Sequence, residues 1–123
     1  MQKGKKQRQV RKPQHQPRPG SEKKLQPHPV FDYPEKPGTN KLKDKIALIT
    51  GADSGIGKAV AILFAKEGAR IAIAYLSDHI DAKDTSSIIT EKYRGQCLLI
   101  PGDLSKENHC KTVIRKVIKE YGR

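Results

Sequence analysis

Residues 46–57 read Ile-Ala-Leu-Ile-Thr-Gly-Ala-Asp-Ser-Gly-Ile-Gly, an apolar run that breaks into three glycines and then opens a helical pattern. The run from Lys45 to Thr50 is apolar at Ile46, Leu48 and Ile49 with small Ala47 between, which suits a parallel strand covered on both faces. Gly51 permits a sharp exit from that strand, Gly55 lets backbone approach a ligand with no Cβ in the way, and Gly57 lets the next helix sit close to the sheet. Ile56, Ala59, Val60, Leu63 and Phe64 then recur at helical spacing as one apolar stripe, and Gly68 fits the position just past the helix end. Free N–H groups and the positive dipole end near Gly55 to Gly57 would face an anion.

Further along, Arg70 to Tyr75 reads as a second strand, with Ile71 and Ile73 alternating with Ala72 and Ala74. A second helix is expected from near Asp78 or Asp81, where acids suit an N-terminus, through Ile88 and Ile89 to Tyr93, with Gly95 as its stop. Cys97 to Ile100 forms a third strand closed by Pro101. Ser105 is the expected N-cap of a third helix, whose apolar face is Cys110, Val113, Ile114, Val117, Ile118 and Tyr121 and which Gly122 ends.

This β-α-β-α-β-α order implies a Rossmann-type α/β fold, a partial doubly wound parallel sheet with right-handed crossovers and strand order 3-2-1. A strand, a glycine turn and a helix in this order can together hold the diphosphate of a dinucleotide. Strand one would be an edge with unpaired backbone groups and apolar faces, open to association. A Walker-type phosphate loop is rejected, because Gly57-Lys58 is followed by Ala59 in place of Ser or Thr and Ala52 stands where that loop begins with glycine.

The chain has 123 residues and a net charge of +12, unevenly spread. Residues 1–44 carry 12 Lys/Arg against 4 Asp/Glu and seven of the eight prolines, whereas residues 45–123 have a net charge of only +4. With few large apolar side chains, residues 1–44 are expected to be a basic, Pro-rich, disordered or extended leader, and residues 45–123 the domain. No apolar signal segment, amphipathic transit repeat or membrane-length run is present in the sequence. Cys97 and Cys110 lack metal spacing and read as reduced thiols, which points to the cytoplasm.

The glycine spacing after Thr50 is Gly-x-x-x-Gly-x-Gly, whereas the general dinucleotide fingerprint places its one-residue gap first. In this it resembles the signature of the short-chain dehydrogenase/reductase family, and the resemblance covers about Leu42 to Arg123, including Gly102-Asp103-Leu104 after strand three. Within the family the chain is similar to bacterial general-stress-type oxidoreductases, which carry a basic, Pro-rich leader. The resemblance implies a nicotinamide dinucleotide cofactor. Gly51, Gly55, Ile56 and Gly57 would line its diphosphate through their backbone, and the Ser54 hydroxyl would donate to a phosphate or ribose oxygen. Asp103 would accept from the adenine amino group with Leu104 packed beside the ring, while Asp53, whose charge repels phosphate, reads as a solvated turn residue. At the end of strand two an acid would select NAD through its ribose hydroxyls; the matching residue is Tyr75, followed by Leu76, with Asp78 three positions on. Tyr75 and Leu76 carry no charge to repel or clamp a 2′-phosphate, and the reading leans to NADP over NAD.

The family's chemistry implies a Tyr acid/base with a Lys four residues later. Four residues after Tyr33, Tyr75 and Tyr93 stand Pro37, His79 and Cys97, and only two residues follow Tyr121, so the pattern is absent. The family's Asn-Asn-Ala-Gly segment of strand four is absent as well. No catalytic or metal-binding residue is assigned, and the histidines at 15, 28, 79 and 109 read as surface residues. The expectation is the dinucleotide-binding portion of an oxidoreductase fold that ends before strand four, with no hydride transfer by this chain alone. The alternatives are a non-catalytic nucleotide-binding remnant, or anion binding through Lys3, Lys5, Lys6, Arg8, Arg11 and Lys12. Nucleic acid is disfavoured as a partner because Phe31 and Tyr33, the leader's aromatics, lie far from that cluster, and a solubilising leader is the simpler reading.

Overall fold

The computed structural model describes residues 13–18 and 20–123; the basic cluster Lys3 to Lys12 lies outside them. Three parallel strands, β1 (Ile46–Thr50), β2 (Arg70–Tyr75) and β3 (Cys97–Pro101), form one sheet in the order β1-β2-β3. The helices are α1 (Gly55–Lys66), α2 (His79–Ser87), which runs on into a π-helical turn Ile88–Lys92, and α3 (Glu107–Tyr121). In the register Thr50 stands opposite Ala74 and Tyr75 opposite Pro101, so all three strands end at the same rim of the sheet. The expected strand order is therefore observed, with β2 central and β1 an edge.

Helices cover both faces. On one, Ala61, Ile62 and Ala65 of α1 and Ile89 beyond α2 pack on Ile71, Ile73 and Tyr75. On the other, Val113, Val117 and Tyr121 of α3 pack on Ala72, Ala74 and Ile100. Burying each of the fully covered isoleucines contributes about 1.5–3 kcal/mol. β2 is buried along nearly its whole length, which explains its unbroken apolar sequence.

Three helical details depart from the sequence reading. The apolar stripe of α1 is not its buried face: Ile56 is 86% exposed and Leu63 54%, whereas Lys58, Ala61, Ile62 and Ala65 are buried. The sheet selects small side chains at close approach, and a helix apolar almost all round leaves the rest outside. Ser105 is not the cap of α3, whose N-cap is Lys106; instead the Ser105 N–H is taken by Asp103 Oδ1 at 2.9 Å. In α3, Ile114 and Ile118 remain 51% and 49% exposed beside β1. Other signals act as expected. Asp78 caps α2 by accepting from the Asp81 N–H at 3.2 Å, and Gly122 ends α3 with φ +84°. Gly68 (φ +94°) follows α1, with Gly68 N–H bonding to Ala65 O and Ala69 N–H to Phe64 O.

Residues 31–41 of the leader pack along α1. Asp32 has a side chain only 5% exposed, 3.2 Å from Lys66 Nζ and 3.4 Å from Lys92 Nζ, and accepts from the Tyr93 hydroxyl. Burial pushes the Asp32 carboxyl up, and the bonds from Tyr93, Lys66 and Lys92 outweigh it, holding the group below its ordinary value. Phe31 rests on the core with Lys58 Nζ 4.1 Å from its ring centre, and the Thr39 and Lys41 N–H groups bond to Glu67 Oε2 at 3.0 and 3.1 Å. Among the described residues no helix is long and apolar enough to cross a membrane.

Candidate dinucleotide site

The loops after the three strands are tied together at the rim. Gly51 N–H bonds to Ala74 O at 2.8 Å, and Gly102 N–H to Tyr75 O at 2.9 Å. Ala52 is fully buried, and the buried Thr85 hydroxyl lies 3.1 Å from Asp53 O and 3.1 Å from Asp81 O, bonding α2 to the turn. The glycine turn is thus fixed from three sides before any ligand arrives. In open α/β sheets this rim, at the carboxyl ends of the strands, is where ligands bind.

Within the turn the three glycines have different tasks. Gly51 (φ +69°) and Gly55 (φ +60°) adopt the left-handed conformation, and a Cβ on either would meet nothing within 4 Å. Both therefore face open space, which fits a cradle for an incoming group. Gly57 differs: a Cβ there would lie 2.6 Å from Gly51 O and 2.9 Å from Ala52 Cα. Its smallness serves the approach of α1 to its own turn, the second of the reasons for a glycine in this motif. Ser54 is the N-cap of α1 but its hydroxyl makes no capping bond, so the hydroxyl is free to turn outward. No acid stands in the first turn of α1, leaving the dipole end and free N–H groups unneutralised from within the helix.

Tyr75 is the last residue of β2. Its side chain is buried in the core, with the hydroxyl 2.8 Å from His79 Nδ1, and its carbonyl is taken by Gly102. Strand alternation turns Tyr75 inward and leaves Leu76, 67% exposed, as the residue facing the rim. Leu76, Ser77 and Asp78 line a cleft with Asp53 and Ser54, so the end of β2 does adjoin the glycine turn. The Asp78 carboxylate is engaged in capping α2.

Asp103 is exposed, and the Ser105 hydroxyl and N–H hold its carboxyl below the ordinary value. Leu104 is 36% exposed, and its carbonyl accepts from the Cys110 thiol at 3.1 Å. Gly102, with φ +143°, is packed against the His109 ring, where a Cβ would lie 2.2 Å from Nε2. That Nε2 is the buried side-chain polar atom without a partner among the described residues. His109 was read as a surface residue; the helical spacing of α3 does not reveal that residue 109 falls over the loop after β3. Lys58 was missed too. It is buried, with Nζ 3.2 Å from Asp84 Oδ2, and joins α1, α2 and Phe31. No group of three or more potential metal ligands occurs among the described residues.

The comparisons agree with this geometry. The family model described as short chain dehydrogenase matches residues 45–123. An uncharacterized oxidoreductase, YhdF of Bacillus subtilis, is 51% identical over 112 residues, 90% of this chain and 38% of that protein. General stress protein 39 of the same organism is 48% identical over 104 residues, 85% of this chain and 36% of its own length. The chain thus spans little more than a third of these curated relatives. Among solved structures, L-sorbose reductase from Gluconobacter frateurii, complexed with NADPH and L-sorbose, superposes with a TM-score of 0.61 at 31% identity over 66% of this chain and 30% of that one.

Proposed function

Since the chain belongs to the short-chain dehydrogenase family, we propose that residues 45–123 hold the adenine-diphosphate part of a nicotinamide dinucleotide within an NAD(P)-dependent oxidoreductase fold, with residues 1–44 as its leader. The observation that carries this is the glycine turn: Gly51 and Gly55, both left-handed and both with open space where a Cβ would stand, lead into and begin a helix that has no acid in its own first turn. Backbone N–H groups of Gly55, Ile56 and Gly57 bind the diphosphate, with the Ser54 hydroxyl as an added donor. Asp103 and Leu104 receive the adenine, and Leu76 with Ser77 takes the place at the ribose that the sequence reading gave to Tyr75. The dinucleotide supplies hydride transfer in the family.

This chain by itself transfers no hydride, because no Tyr-x-x-x-Lys pair exists to relay the proton. The choice leans to NADP: β2 ends without a free acid, Asp78 being engaged at the α2 cap. The free thiols Cys97 and Cys110 support a reducing compartment, the cytoplasm. The free edge of β1, flanked by half-exposed Ile114 and Ile118, supports association through that edge.

Calorimetric titration of the 123-residue chain with NADP+ and with NAD+ tests the reading. Saturable binding with NADP+ the tighter is expected; tighter NAD+ overturns the cofactor preference, and binding of neither overturns the site. Carbonyl-dependent oxidation of NADPH by the same chain would contradict the claim that it transfers no hydride.

A further inference from the structure

The leader puts a carboxylate on the group that the preceding reading reserves for a phosphate. The Gly55 N–H, at the start of α1, donates to Glu22 Oε2, 33 positions earlier in the chain. Glu22 is held there by its neighbours. It begins a 3₁₀ turn, Glu22–Lys24, which Lys23 pins to α2 through an ion pair with Asp81 Oδ1 at 2.8 Å. The Gln16 side chain closes the preceding bend, its Oε1 accepting from Ser21 N–H at 2.6 Å and its Nε2 donating to Ser21 O at 3.1 Å. Beyond Glu22, Asp32 and the Thr39–Lys41 segment bind Lys66 and Glu67, so the leader runs along α1 from its first residue to its last turn. Gly20 and Ser21 wall the cleft that holds Ser54, Leu76 and Ser77.

A carboxylate is drawn to a helix N-terminus by the same free N–H groups and dipole that draw a phosphate. One N–H cannot serve both. We propose that Glu22 is a built-in competitor for the cofactor phosphate, so that the leader must withdraw from Gly55 before the dinucleotide can seat and thereby sets the apparent affinity. This inference rests on the reading of the glycine turn as a phosphate cradle. The apparent affinity is the intrinsic affinity multiplied by the fraction of molecules in which the leader is withdrawn, and one exposed charge-assisted hydrogen bond corresponds to about three- to tenfold.

The test is calorimetric titration with NADP+ of the full chain and of two variants of it. Glu22→Gln removes the charge; Glu22→Asp keeps the charge but shortens its reach. Both variants are expected to bind about three- to tenfold more tightly than the parent, and the Gly55 amide resonance is expected to move in both. Equal affinities for all three chains overturn the competition and leave the cradle reading standing. Tightening in Glu22→Gln alone also overturns it, since the effect would then be long-range charge repulsion and not occupancy of the Gly55 N–H. If no chain binds NADP+ although the Gly55 resonance responds, the cradle reading fails and this inference with it.

Discussion

At the scale of single residues, conformation and free space separate glycines that look alike in the sequence. Gly51 and Gly102 both have positive φ, but a Cβ on Gly51 meets nothing within 4 Å whereas one on Gly102 would strike the His109 ring. Gly51→Ala should cost about 1 kcal/mol of backbone strain, and Gly102→Ala about 2–4 kcal/mol, because strain and displacement of a packed ring add; urea midpoints of the two variants check the order. Titration behaviour is also set locally. The Asp32 carboxyl ionises more readily folded than unfolded, so its stabilisation is present above its unfolded value of about 3.8 and is lost as pH falls below it. Tyr93 and Tyr121 are each pushed up to about 12, chiefly by burial, from an ordinary value of 10.0. Their protonated forms favour the fold, so this stabilisation is complete below pH 10 and lost between pH 10 and about 12. Unfolding monitored against pH should show both limbs, and Tyr121→Phe, which removes a 2.6 Å bond to Ile71 O, should weaken the alkaline one.

At the scale of elements, the sequence revealed strand identity and order better than helix orientation. The strands were legible because the central one is apolar at nearly every position and each is closed by glycine, proline or a polar run. The facing of α1 was not. Residues 55–66 contain only two polar side chains, Lys58 and Lys66, and both are drawn inward, Lys58 to Asp84 and Phe31, Lys66 to Asp32. A pattern of spacing cannot show that a lysine is buried by a partner from a distant segment. The glycine turn itself was legible, since positive φ and close approach demand glycine, whereas the burial of the Tyr75 side chain was not, because strand alternation decides inward or outward only once the core is known. The leader, read as lacking the apolar surface to pack, contributes a buried carboxylate anchor. Asp32→Asn leaves Lys66 without its counter-charge and should cost roughly 2–4 kcal/mol. Limited proteolysis between residues 25 and 41 should accelerate in that variant ahead of cleavage in the sheet.

At the scale of the whole molecule, one border of the sheet is an edge strand with exposed apolar side chains beside it. Among the described residues β1 pairs with β2 alone, and half-exposed Ile114 and Ile118 stand beside its Ile46 and Leu48. Such an edge favours association, so sedimentation should show concentration-dependent self-association that the double change Ile114→Lys with Ile118→Lys reduces without shifting the far-ultraviolet spectrum. The same topology brings the three strand ends together, and the proposed cofactor site depends on it. The central claim is that a dinucleotide's diphosphate sits on the turn between Thr50 and Lys58. Amide resonances recorded during titration of the chain with NADP+ test it most directly. The largest shifts are expected at Gly55, Ile56 and Gly57, with smaller ones at Asp103 and Leu104; saturable shifts that spare residues 51–57 and fall elsewhere would contradict it.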